Sequence, residues 1–209
     1  LAEDPGLALR QSYYQTQAGR LKAAVAVLEA AQARWPANDQ IAYFLALGYD
    51  DLKDHDKAVT TLWQVLELKP GFRDARYQLG AILEKTARMA EAEKEFRQIL
   101  ADKPDDASAL NYLGYSLADR GSKLPEAEAF IREALRLSPT NGAYIDSLGW
   151  VLFKQGRSTE AVTELSRALE RSPQDETVWE HLGDAYGAMG IMASAWRAWS
   201  PTAPTLRAI

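Results

Sequence analysis

The chain has 209 residues, with 24 basic against 29 acidic side chains and a formal net charge of −5. That balance excludes a protein whose main task is neutralising phosphate backbones, and neither half departs from it: residues 1–104 carry net −1 and residues 105–209 net −4. There is no cysteine, which excludes disulfides, thiolate-bound zinc, iron–sulfur clusters and a thiol nucleophile, and leaves the redox compartment open.

In chain order, the first feature is negative. The chain opens at Leu1 with no charged-then-apolar leader, and no apolar run approaches the roughly 20 residues of a membrane span. We read it as a trimmed or processed chain, with any targeting or lipid-anchoring segment lying upstream. From Pro36 onward the sequence is periodic. Pro36, Pro70, Pro104, Pro139 and Pro173 are separated by 34, 34, 35 and 34 residues, and each follows an amphipathic stretch that a proline would end.

Other positions keep the same period. Small residues recur at Ala24, Ala58, Ala92, Ala127, Ala161 and Ala195, each followed four residues later by Leu28, Leu62, Phe96, Ile131, Leu165 and Trp199. A Leu-Gly pair returns at Leu79-Gly80, Leu113-Gly114, Leu148-Gly149 and Leu182-Gly183. Small residues let crossing helices approach and bulky neighbours fill the space, so these positions read as core. Each unit reads as two antiparallel helices; in the fifth, about Ala143–Lys154 and Ser158–Arg171 with a stop at Gly156. Gly19, Gly121, Gly156 and Gly190 fall at the turns inside the units, and Pro125 fits the first turn of a helix after an extra residue in the fourth.

The C-terminus departs from the period. Pro201 and Pro204 are expected to end the last helix early, leaving Trp196 and Trp199 as an apolar patch and residues 201–209 as a non-repeat tail. The tail folding back, another chain covering the patch, or a continuing protein would each satisfy it.

Little in the chain suggests chemistry. His55 lies in an acidic turn with Asp50 and Asp54, a conceivable metal set, but a solvated turn with Asp54 capping the next helix is the simpler reading. His181 reads as a packing or rim residue. No phosphate loop, nucleophile elbow or two-histidine metal motif is present, and nothing calls for a cofactor. Glu91, Glu93 and Glu95, interspersed with Lys94 and Arg97, read as an exposed helix face.

This spacing resembles the tetratricopeptide repeat, most completely in Trp179, Leu182, Gly183, Tyr186, Ala195 and Trp199. The resemblance implies an all-α, right-handed superhelical solenoid over residues 1–200, with six units starting near 5, 39, 73, 107, 142 and 176 and the last incomplete. It implies a concave face lined by the first helix of each unit. Carried over position by position, the lining comprises Tyr13, Tyr43, Asp50, Tyr77, Glu84, Asn111, Tyr115, Asp119, Asp146, Trp150, Lys154, Glu180 and Asp184. That lining is aromatic and acidic, and fits an apolar protein or peptide segment carrying Lys or Arg. Only Asn111 and Lys154 match a clamp for a terminal carboxylate, with Asp146 between them, so such a clamp is not expected.

The segments Asn111–Gly121, Asp146–Trp150 and Trp179–Asp184 are also similar to the C-terminal repeats of bacterial cell-envelope lipoproteins of this family. That likeness implies an adaptor in the periplasm or envelope, with the cytoplasm left open. The expected function is noncatalytic protein–protein interaction. Two rivals are kept: self-assembly through the last unit or tail, and an enzyme or metal site around residues 50–56.

Overall fold

A computed structural model describes residues 4–199, excluding the side chain of Trp199. The expectations for Pro201, Pro204, the 201–209 tail and the Trp199 side chain lie outside the described residues. Among the described residues every regular element is a helix: α1 (Pro5–Gln17), α2 (Leu21–Arg34), α3 (Asp39–Asp51), α4 (His55–Leu68), α5 (Arg73–Lys85), α6 (Met89–Asp102), α7 (Ala107–Asp119), α8 (Leu124–Leu137), α9 (Gly142–Lys154), α10 (Ser158–Arg171), α11 (Glu176–Ala188) and α12 (Met192–Trp199). Odd and even helices pair across short turns, giving the helix-pair solenoid class of fold. The chain divides into two compact units between Ile99 and Leu100, in the last turns of α6.

The helix starts have a common cause. Asp4, Asn38, Asp106, Asn141 and Asp175 each accept a hydrogen bond from a backbone N–H in the first turn of the odd helix that follows. Such a cap satisfies one of the donors that a helix start leaves without an intrahelical acceptor. The series keeps the repeat period, and Phe72 breaks it: there the side chain packs on Tyr43, ring centroids 4.9 Å apart, in place of capping. Asp54 caps α4 by accepting from the Lys57 N–H. Pro125 lies in the first turn of α8, as its missing N–H favours.

The turn within each pair needs one residue in the left-handed region. Gly19, Gly121, Gly156 and Gly190 supply it at φ between 63° and 78°. In the second and third pairs Lys53 and Ala87 take the same conformation at φ 65° and 61°. An L-residue there costs about 1–2 kcal/mol that glycine avoids. Ala87→Gly, at an exposed position, is therefore expected to raise stability by about 0.5–1 kcal/mol. Urea unfolding measures this, as a higher midpoint at unchanged slope.

In the first unit the core runs through Ile41, Leu45, Leu62, Val65, Leu79, Ile82, Leu83 and Phe96. In the second it runs through Leu113, Leu117, Ile131, Ile145, Leu152 and Leu165. The recurring alanines and their bulky partners up to Leu165 are all buried. Glycine of the Leu-Gly pair is required by contact. A methyl added at Gly80 would meet the Phe96 ring at 2.7 Å, at Gly114 Ile131 Cγ1 at 2.6 Å, and at Gly149 Leu165 Cγ at 2.5 Å. The odd helices also pack on one another, α1 with α3 in the first unit, and α7 with α9 and α9 with α11 in the second. This packing makes an inner layer in each unit, and the candidate side chains sit on it.

Candidate protein-interaction faces

In the first unit, α1, α2 and α3 leave an apolar cavity of about 520 Å³. Leu9, Tyr13, Leu47 and Phe44 form much of its wall, Leu28 lies at its base, and Asp51 and Arg10 stand at its rim. Such a volume falls in the range that holds a ligand or a large side chain. Tyr13 is 60% exposed and Tyr14 69%, with rings edge to face at 5.7 Å; Phe44 is 42% exposed. Asp51 is exposed and has no ion pair or hydrogen bond to its side chain among the described residues. Clustered exposed aromatics are costly for a surface that meets only water, and suited to one that meets another chain.

The other first-unit candidates are held more firmly. Tyr43 is half-buried against Phe44 and Phe72, and burial raises its phenol pKa. Tyr77 meets Phe96 edge to face at 5.3 Å and lies under the Arg73 guanidinium. Glu84 is half-buried, with no side-chain partner among the described residues. Asp50 is engaged on both oxygens: Oδ1 lies 2.9 Å from His55 Nδ1, and Oδ2 accepts from Lys85 Nζ at 2.9 Å. With an ammonium on Asp50, and with Asp54 capping α4, the turn is wired as an ion-pair and capping device. Among the described residues no group of three or more His, Asp or Glu side chains is placed to hold a metal ion.

Burial pushes the Asp50 carboxyl up, but the hydrogen bonds and charges of Lys85 and His55 outweigh it and hold the group below its ordinary value. A depressed folded pKa gives stability that is present above the unfolded value near 3.8 and is lost as pH falls through the folded one. In Lys85→Met the burial cost stands with less opposition. Carboxyl ¹³C NMR is therefore expected to show Asp50 titrating at higher pH than in the parent, with the acid loss of stability starting correspondingly earlier.

In the second unit the candidates converge. Trp150 is 8% exposed and is flanked by Phe153 at 5.1 Å and by the His181 ring at 4.1 Å, both stacked, with the Lys154 ammonium over its face at 4.8 Å. Its indole N–H donates to Asp119 Oδ1 at 3.2 Å. Asp146, 7% exposed, lies 2.9 Å from His181 Nδ1. Tyr115 approaches His181 from α7 at 6.3 Å. Trp150 and Asp146 are thus braced parts of the wall, whereas Asp119 and Glu180 are exposed and Tyr115 and Asp184 half-exposed. Asn111, in the same register as Asp146 and Glu180, carries a buried Oδ1 without a hydrogen-bond partner.

Sequence reasoning missed three participants. His181 is the hub of the second-unit cluster, buried to 6% exposure, and one signal was available: it falls one residue beyond the Asn111–Asp146–Glu180 register. Phe44 and Tyr14 are the others, each next in sequence to a lining residue.

Paired helices, an inner layer of odd helices in each unit and a 34-residue period define a helical-repeat protein. Models of the family described as Tetratricopeptide repeat match residues 9–71 and 51–113, and a model described as TPR repeat matches residues 149–190. The chain belongs to the tetratricopeptide-repeat proteins. It is 34% identical over 179 residues to the TPR repeat-containing protein PA4667 of Pseudomonas aeruginosa, covering 84% of this chain and 30% of that protein. The chain spans less than a third of the length of the curated relatives it matches. Among solved structures it is similar to PilW, described as a widely conserved type IV pilus biogenesis factor, with TM-score 0.84 at 20% identity over 100% of this chain and 96% of that one. It is also similar to a tetratricopeptide repeat protein of Parabacteroides merdae, with TM-score 0.83 at 17% identity over 94% and 78%. Among the described residues no helix is long and apolar enough to cross a membrane.

Proposed function

We propose that the chain is a noncatalytic adaptor that binds a segment of a partner protein on the inner faces of its odd helices, the six repeats of residues 1–200 acting as one array. The observation that carries this reading is the first-unit cavity, where exposed aromatics surround an apolar recess of about 520 Å³ with an unpaired carboxylate at its rim. Tyr and Trp give large contact area at small entropic cost and dominate interface energetics. Asp51, Glu84, Asp119 and Glu180 favour a partner with basic side chains, which charge steers in and the aromatics retain. The likeness to PilW, described as a type IV pilus biogenesis factor, is what favours a bacterial envelope setting for this adaptor.

The test must spare the braced residues, because replacing Trp150 would disturb the wall and not only the surface. Tyr13→Ala with Asp51→Ala changes exposed side chains only. Affinity capture is expected to lose its specific partner in this double variant while the helical circular dichroism spectrum is kept. Undiminished capture would move binding away from this face.

Self-association has one observation in its favour. Trp196, 61% exposed, occupies the register of Val25, which meets Gly48 of the next repeat, and of Glu128, which binds Gln155 and Arg157 of the next repeat. A helix from a second copy would find there the contact face used inside the array. Concentration-dependent mass, abolished by Trp196→Ser, is the result expected of this second reading.

A further inference from the structure

We infer that His181, held by Asp146, is a recognition point on the second unit for a cationic side chain, the guanidinium or ammonium group of a partner. The inference rests on the adaptor reading only for the source of that cation. His181 is 6% exposed and its Nδ1 lies 2.9 Å from Asp146 Oδ1, the only hydrogen-bond partner of Asp146 among the described residues. A carboxylate buried to 7% exposure needs a donor, and the imidazole supplies it. The neutral ring therefore carries its proton on Nδ1 and presents the Nε2 lone pair as an acceptor. Nε2 has no hydrogen-bond partner among the described residues. Trp150 stacked at 4.1 Å and Tyr115 at 6.3 Å fix the plane of the ring, so the acceptor has a set direction before any ligand arrives. Preorganisation of this kind lowers the entropy lost on binding.

The surrounding charge decides which donor fits. From α9 come Asp146 and Lys154, the latter over the Trp150 ring; from α7 come Tyr115 and, through the Trp150 indole, Asp119. On α11 itself Glu180 and Asp184 flank the position. From α10 and α12 no charged side chain makes a hydrogen bond or ring contact with His181 among the described residues. The carboxylates of Asp146, Asp119 and Glu180 against the Lys154 ammonium favour a cation over a carboxylate. Glu180 is exposed and without a side-chain partner among the described residues.

The sequence holds two histidines, so imidazole ¹⁵N NMR of the full chain resolves them directly. The probe is Nα-acetyl-arginine methylamide, with the lysine analogue as a second cation and the citrulline analogue as the neutral isostere. At about pH 7.5 both cations are expected to move the His181 Nε2 resonance saturably. Citrulline should leave it in place. His55 is the internal control, since the Lys85 ammonium already lies on its Asp50 partner. His181→Asn, which keeps a donor toward Asp146 and removes the Nε2 acceptor, should abolish the response of the Trp150 indole N–H to the same probe. No saturable shift, or an equal shift at His55, would overturn the inference. If His181 is silent while partner capture still depends on Tyr13 and Asp51, only this inference falls; if it responds while capture does not, the adaptor reading falls alone.

Discussion

Phe96→Ala is expected to cost about 3–5 kcal/mol, enough to consume much of the stability of a marginally stable domain. Phe96 is 1% exposed and is the largest of the fully buried side chains. Its ring meets Tyr77 edge to face at 5.3 Å and lies where a methyl on Gly80 would have to be, 2.7 Å away. Truncation removes the apolar contact and leaves a cavity between α5 and α6, whose cost adds to that of the lost contact. Urea unfolding followed by circular dichroism reads the loss. Phe96→Leu, which keeps most of the volume and matches Leu62 and Leu165 at the same repeat position, is expected to cost less than about 1.5 kcal/mol.

The second large effect concerns charge inside the first unit. Arg76 Nη1 donates to Glu95 Oε2 at 2.6 Å, with Glu95 2% exposed. Arg76→Ala leaves that carboxylate buried without its partner and is expected to cost about 3–5 kcal/mol. Removing both charges is a different experiment. The same repeat positions hold Ala42 and Thr61 in the second pair and Ala8 and Val27 in the first, so the fold tolerates uncharged side chains there. Arg76→Leu with Glu95→Leu is accordingly expected to come within about 1 kcal/mol of the parent, and a double variant as unstable as Arg76→Ala would contradict this account. The pair then acts as a specificity device of the third repeat more than as a source of stability.

Much of this architecture can be read from spacing. The prolines, the alanines and the Leu-Gly pairs each mark a steric need that recurs along the repeats. The fifth unit, read as Ala143–Lys154 and Ser158–Arg171, differs from the structure only in starting α9 at Gly142. The capping series Asp4, Asn38, Asp106, Asn141 and Asp175 was equally legible, two residues beyond Pro36, Pro104, Pro139 and Pro173 from Asn38 onward.

The faces were harder to read. Helical periodicity says which side of α9 looks inward, but not that Trp150 would be stacked between neighbours while Tyr13 stands 60% exposed. That difference comes from what the adjacent repeat supplies: a histidine ring against Trp150, and an open recess beside Tyr13. Lone residues off the main register, such as His181, acquire partners only when helices from different repeats meet. No single repeat contains that information.

The central claim, that partners meet the inner layer of odd helices, is tested most directly by site-specific photocrosslinking in the source cell. Benzoylphenylalanine placed at Tyr13 or Glu180 reports on the inner faces, and at Arg132 or Glu133 on the exposed side of α8. The account predicts one common partner adduct from Tyr13 and Glu180 and none from the α8 positions. Adducts from Arg132 and Glu133, with Tyr13 and Glu180 silent, would place binding on the second helices of the pairs and contradict it.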